Sequence, residues 1–254
     1  MHILVTNDDG VQAPGLLALA QAVRPFGEIS VLAPDHNWSA SGHVKTLHRP
    51  LRAKETRLAD GTPALASDGA PSDCVALGLL GLVEQPVDLV VSGINPYANL
   101  SHDVTYSGTV TAAMEAAIEE VPAIAFSLDG SETPLEVADY QVAAAIVARV
   151  VEQVIRRGLP AGVLFNVNIP RLPLEQIRGF RITRQGLRIY RDELVRREDP
   201  RGRPYYWIGG ELPTGIQEEG TDIGALAEGY VSITPLQLDL TAHLLIPTLE
   251  KWQW

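Results

Sequence analysis

The chain opens Met-His-Ile-Leu-Val-Thr-Asn-Asp-Asp-Gly, and no other stretch limits the fold so tightly. A short apolar run, Ile3, Leu4 and Val5, meets two adjacent carboxylates, Asp8 and Asp9, and then Gly10. Such a run closed by a turn signal reads as a buried strand of a parallel sheet. In open α/β sheets ligands bind outside the carboxyl ends of the strands, so both carboxylates are expected at the functional end. Neighbouring side chains of a strand point to opposite faces. They can therefore converge only if the strand has ended by Asp8, and Gly10 permits the turn. Two carboxylates about 4 Å apart repel by roughly 4 kcal/mol at an effective dielectric of 20, and a divalent cation between them reverses the sign. Asn-Asp-Asp-Gly is also ordinary solvated turn chemistry, so this segment alone leaves both readings open.

The first half repeats the alternation. Pro14 to Val23 reads as a helix, with Leu16, Leu17, Leu19, Ala20 and Val23 at helical spacing. Ile29 to Ala33 is the second strand, followed by a polar, turn-rich loop from Asp35 to Pro50. A helix is expected over Ser72 to Val83, a strand over Leu89 to Val91, and a helix from about Ser107 to Glu120. Ala123 to Leu128 is a strand, a long helix covers about Leu135 to Arg157, and Val163 to Ile169 is a further strand. Strands separated by helices imply right-handed βαβ units. The expected fold is α/β: a Rossmann-like three-layer core with a mostly parallel sheet. Beyond Phe180 the chain is β-like and rich in Gly, Pro and aromatics, and Asp199 to Trp207 suits the tip of an extended hairpin. Several exposed aromatics on one arm point to a contact between subunits. The expected organisation is one domain over residues 1–254, with a core of about 1–180 and a hairpin extension of about 181–254.

Composition removes several function classes. The 254 residues carry a formal net charge of −11, which argues against a nucleic-acid or anionic-membrane binder. Any anionic substrate must then be held by local cations, a metal or backbone N–H groups. A single cysteine, Cys74, excludes an internal disulfide, fits a reducing compartment, and reads as helix packing. The opening residues lack the basic and apolar pattern of a secretory leader. The longest helical apolar stretch, Val142 to Ile155, is too short for a bilayer and carries Arg149 and Glu152. The expectation is a cytoplasmic protein with no membrane partner.

Three loops after predicted strands are rich in oxygen ligands: the Asp8–Asp9 turn, Asn37 to Gly42 with Ser39, and Ser92 to Asn99 with Asn95. Carboxylate, hydroxyl and amide oxygens without Cys or His favour Mg²⁺, Mn²⁺ or Ca²⁺ over structural zinc. Each loop alone also suits a plain turn, Ser39 above all. Tyr106-Ser107-Gly108-Thr109-Val110 opens a helix, and free N–H groups at a helix start cradle phosphate. Ser107 equally suits a simple N-cap, and the two roles are compatible. Among the histidines, His43 and His102 lie nearest the ligand loops.

Seven segments together resemble the SurE, or survival protein E, nucleotidase family. They are Asn7-Asp8-Asp9-Gly10, Ala33-Pro34-Asp35 followed by Ser39, Gly69 to Val75, Ser92-Gly93-Ile94-Asn95, Tyr106 to Val110, Asn166 to Pro170 and Ser232 to Leu236. The resemblance implies a metal-dependent phosphomonoesterase acting on nucleoside 5′- and 3′-monophosphates, and in some members on short polyphosphate. It implies one divalent ion per subunit, Mg²⁺ or Mn²⁺, on Asp8, Asp9, Ser39 and Asn95. Asn99, Ser107, Gly108 and Thr109 would lie by the substrate, and the hairpin would join copies into a homodimer or homotetramer. This chain departs from the family pattern twice. Ala40 follows Ser39 where glycine is usual, and Tyr97 fills the central glycine place of Asn95-Pro96-Tyr97-Ala98-Asn99.

Three chemistries are compatible with these residues. In metal-assisted hydrolysis Asp8 or Asp9 doubles as general base and Ser107 and Thr109 stabilise developing charge. In an aspartyl-phosphate route one Asp is the nucleophile, although phosphatases of that kind space their two Asp one residue apart. From another class, the chain is a nucleotide- or phosphate-binding regulatory module without turnover.

Overall fold

The computed structural model describes residues 1–130 and 134–253. A nine-stranded sheet forms the middle layer, in the order β3-β4-β2-β1-β5-β6-β7-β11-β8. Its centre is parallel and built from β1 (His2–Thr6), β2 (Glu28–Pro34), β5 (Leu89–Asn95), β6 (Ala123–Leu128) and β7 (Val163–Ile169). β1 is buried along its whole length, as are β5 and β6. That is why they read as continuous apolar runs rather than alternating ones.

Alternation instead decides which helix layer each side chain meets. Ile3 and Val5 pack with α1 (Pro14–Val23) and α4 (Gln141–Arg157), while Leu4 packs with α2 (Pro71–Leu77) and α3 (Gly108–Ile118). Phe126 is fully buried between β6 and the first of these layers. Truncating it to alanine is worth about 3–5 kcal/mol in cores of this kind.

Elsewhere the boundaries depart from the sequence reading. β3 (Ala53–Arg57) and β4 (Pro63–Ser67) form an antiparallel hairpin beyond the Asp35–Pro50 loop, where the sequence reading assigned no element. The helix expected to Val83 ends as α-helix at Leu77 and passes into a wider turn, Gly78–Leu82, where Gly81 leaves helical geometry at a φ of 109°. The helix expected from Leu135 starts with a single tight turn, Val137–Tyr140, before α4 proper.

Past residue 179 the chain divides. β8 (Phe180–Ile182) and β11 (Val231–Gln237) return to the main sheet, β11 antiparallel to β7. Between them β9 (Arg188–Glu198) and β10 (Pro204–Gly215) form a separate two-stranded antiparallel ribbon, its tip at the expected place. Short helices α5 (Asp222–Ala227) and α6 (Ile246–Leu249) complete the described chain. Cys74 is fully buried in α2 and burial raises its thiol pKa, as a packing cysteine requires. No described helix is long and apolar enough to cross a membrane.

Candidate functional site

From β1 the sheet grows to β2 on one side and β5 on the other, so the strand order reverses at β1. Crevices at such reversals, outside the carboxyl ends, are where open α/β sheets bind ligands. Thr6 pairs in register with Ser92, so Asp8 and Asp9 leave β1 beside the loop that begins at Asn95. The loop after β2 arrives from the other side, where Trp38 donates its backbone N–H to the Asp8 carbonyl oxygen at 2.8 Å. The three oxygen-rich loops therefore end on three adjacent strands.

β1 stops at Thr6, before the carboxylates, as convergence requires, and Gly10 turns the chain at a φ of 102°. Asp8 is buried and lies against the first turn of α3. Its carboxylate accepts the Thr109 hydroxyl and is further held by backbone N–H groups of Thr109 and Gly108. A Cβ placed on Gly108 would sit 2.6 Å from the Asp8 Cβ, so only glycine lets the helix approach this closely. Burial raises the Asp8 pKa, and these donors pull the other way. Asp9 is pushed up to about 7, first by burial and then by the Asp8 charge, with no cation among the causes.

Two adjacent acids whose ionised forms are disfavoured by burial, Asp9 further by the Asp8 charge, describe a place that gains from a cation. Among the described residues no group of three His, Cys, Asp or Glu side chains gathers around a common point. An ion at Asp8 and Asp9 would then complete its shell from amide, hydroxyl and water oxygens, which is hard-cation chemistry. The residues present fit such an ion.

The remaining expected ligands approach from the flanking loops. Asn95 is buried, and its Nδ2 donates to the Tyr97 carbonyl oxygen at 2.5 Å. That bond engages the amide nitrogen and leaves Oδ1 as the atom that could meet a cation. Ser39 is exposed, its backbone N–H tied to Asn37 Oδ1 at 2.7 Å. Asn37 in turn donates to Asp9 Oδ1 at 3.4 Å, a contact sequence reasoning did not single out. The next residue, Ala40, adopts a φ of 58°. Glycine is usual there in the family pattern, and alanine holds that left-handed conformation at a cost of about 1–2 kcal/mol.

The expected substrate residues fall into two groups. Ser107 is the N-cap of α3, and its Oγ accepts the Val110 N–H at 3.1 Å while its own proton stays free to donate. Gly108 and Thr109 are turned toward Asp8, the Thr109 hydroxyl being spent on it. Asn99 points into the sheet: Nδ2 donates to Ser127 Oγ at 2.8 Å, and its backbone N–H to Asn168 Oδ1 at 2.8 Å. Its carbonyl oxygen accepts Asn166 and Asn168, so the third ligand loop is anchored on β7.

Two groups were missed beyond Asn37. Tyr140 closes the turn before α4, and its phenol is raised by burial and then by the charge of Asp9. Glu115 on α3 holds His43 and Lys45 of the Ser39 loop. No motif marks either one. A cavity of about 720 Å³ lies at the opposite, amino ends of β1 and β2, beside His2 and Glu28, and shares no residue with this site.

With this geometry in place, the chain can be set beside known proteins. The family profile described as "Survival protein SurE" matches residues 3–192. The chain is 53% identical over 258 residues to the 5′-nucleotidase SurE of Chloroflexus aggregans, covering all of both chains. It is 52% identical to the 5′-nucleotidase SurE of Herpetosiphon aurantiacus, over 95% of this chain and 94% of that one. The crystal structure of the SurE protein from Aquifex aeolicus superposes with a TM-score of 0.82 at 40% identity, covering 98% of each chain.

Proposed function

This chain belongs to the SurE family, and from that premise we propose that it is a metal-dependent 5′-nucleotidase. The reaction is hydrolysis of a nucleoside monophosphate to nucleoside and phosphate. The observation that carries the reading is Asp8, buried beside Asp9 and locked by Thr109 and Gly108 onto the start of α3. One contact thus sets a carboxylate pair against a helix N-terminus, the two halves that a phosphomonoesterase needs.

Asp8, Asp9, Ser39 and Asn95 would hold one divalent ion, Mg²⁺ or Mn²⁺. Bound there, such an ion polarises phosphoryl oxygens and lowers the pKa of water. The chain's own groups do the rest. The free Ser107 proton would donate to a phosphoryl oxygen, and the positive end of the α3 dipole would offset the charge that builds in the transition state. Asp8 or Asp9 would take the proton of the attacking water. Thr109 keeps the Asp8 carboxylate in one orientation through its hydroxyl.

The same reading extends to 3′-monophosphates as substrates and to a cytoplasmic setting for the enzyme. It also makes the β9–β10 arm the contact between copies in a homodimer or homotetramer. Leu194, Trp207 and Ile208 are 73%, 63% and 83% exposed on that arm. An isolated two-stranded ribbon is marginal in water, so a second copy covering these side chains supports both the ribbon and the assembly.

The test is phosphate release from AMP, 3′-AMP, GMP and CMP by chelator-stripped protein, with no metal, Mg²⁺, Mn²⁺ or Zn²⁺. Release that returns only with a divalent ion is expected. Nucleotide binding without release under every ion would instead establish a regulatory module.

A further inference from the structure

One face of α3 carries more than the Asp8 contact. Gly108, Thr111 and Glu115 lie at spacings of three and four residues and so share a stripe about two turns long. Gly108 meets Asp8, Thr111 donates its hydroxyl to the Gly42 carbonyl oxygen at 3.1 Å, and Glu115 meets the next stretch of the same loop. There His43 Nε2 lies 2.9 Å from Glu115 Oε2, and Lys45 Nζ donates to Oε1 at 2.8 Å. The stripe follows the loop residue by residue, from the carboxylate pair outward.

Nothing in the helix itself favours an acid at this place. The Glu115 side chain is only 3% exposed, and it sits in the second half of α3, where the macrodipole disfavours negative charge. Its carboxyl is nevertheless held below the usual range, first by the His43 hydrogen bond and then, against burial, by Lys45. The titratable groups around the cluster are Lys45 and His43 on the loop, Asp73 on α2 and Glu119 on α3. Asp73 itself accepts the backbone N–H and hydroxyl of Thr46, so it fastens the loop one residue further along. A buried carboxylate stabilised only by loop partners is a device for holding the loop.

We propose that Glu115 is a positioning residue: through His43 and Lys45 it fixes the loop that brings Ser39 to the Asp8–Asp9 pair. This inference rests on the metal-dependent reading above and extends it to a residue two helical turns from the reacting atoms. Loss of the anchor loosens Ser39 and the Asn37 contact to Asp9, weakening the holding of ion and substrate more than the chemical step. Removal of outer partners of this kind costs about 10–100-fold in metal affinity.

The experiment compares wild type, Glu115→Gln and Glu115→Asp in three measurements. They are amide exchange over residues 38–46 without metal, Mn²⁺ binding by calorimetry, and kcat with KM for AMP at saturating Mn²⁺. Glu115→Gln is expected to speed exchange and to weaken Mn²⁺ binding and raise KM about tenfold, with kcat within about threefold. Glu115→Asp, which keeps the charge, is expected to recover much of both. Unchanged Mn²⁺ affinity and KM, or a fall in kcat alone, would overturn the assignment. Should Glu115→Gln fail to fold, Lys45→Gln carries the same comparison, because its side chain is half exposed. Absence of phosphate release from wild type would overturn the nucleotidase reading. Loop exchange and Mn²⁺ binding would still decide the role of Glu115.

Discussion

The parallel core and the β9–β10 arm are built from the same kinds of apolar residue and use them in opposite ways. In the core, β1, β5 and β6 bury every side chain between two helix layers. On the arm, Leu194, Trp207 and Ile208 face outward and no layer covers them. Burial makes the core's geometry self-sufficient, and its rigidity lets Asp8 be placed against Gly108 to within ordinary contact. The arm is tied to the core at its base, where Arg188 and Tyr190 reach Asp103, and its two strands are held to each other by their own ladder. On the proposed reading, placement of chemistry belongs to one region and contact with other copies to the other.

The sharpest way to break that division is at Asp8. Asp8→Asn keeps the shape of the β1 turn and removes a charge, and is expected to cut phosphate release about a thousandfold at saturating metal. Near-normal turnover would refute the role given to Asp8. The mass in solution should not change, since the arm lies elsewhere.

Next in size is Gly108→Ala, whose added methyl meets the Asp8 Cβ at 2.6 Å. Overpacking of this kind costs about 1–3 kcal/mol, and a shift of the helix start by a fraction of an ångström costs about 100-fold in turnover. Thermal melting and steady-state kinetics on the same preparation check both.

The converse variant, Trp207→Glu with Ile208→Glu, addresses the arm alone. Light scattering is expected to show a species of 27.5 kDa in place of an oligomer, with turnover per chain within about threefold of wild type. A collapse of activity with the loss of assembly would mean that the two regions are not separable.

The smallest effect is a pH dependence of stability without metal. An unfolded Asp9 titrates near 3.8 and the folded one at about 7, so between these values the folded state alone stays protonated. Folding there takes up a proton, and stability falls as pH rises from about 4 to 7, then levels off. The melting temperature of chelated protein should drop across that window by a few degrees. Added Mn²⁺ should restore it more at pH 7.5 than at pH 5. Asp9→Asn is expected to flatten the slope.

Particular residues show how much of this was legible. α1 and β6 have the expected bounds because their apolar spacing is set by burial on a regular element. The Asp8–Asp9 turn was legible for the same reason, since the end of a buried strand at a chain reversal is a functional position in its own right. β3 and β4 were not, because Ala53–Arg57 is an exposed edge strand with no apolar face to give a period. Glu115 was invisible because its partners lie 70 and more residues away, and one buried acid in an apolar helix carries no local signature. Asn99 matched a motif, but its inward aim depends on Ser127 and Asn168, strands the motif does not contain.

The ends of the nine-stranded sheet bear on how a chain with so sticky an arm stays out of fibres. One margin is β3, whose Lys54, Glu55 and Arg57 line an exposed strand of five residues, and the other is β8, only three residues long. Open strand margins template edge-to-edge growth, and brevity and charge are what blunt them. With both margins of the large sheet closed to such pairing, the proposed attachment falls to the arm, and a self-complementary contact there would yield finite, closed assemblies instead of endless ones.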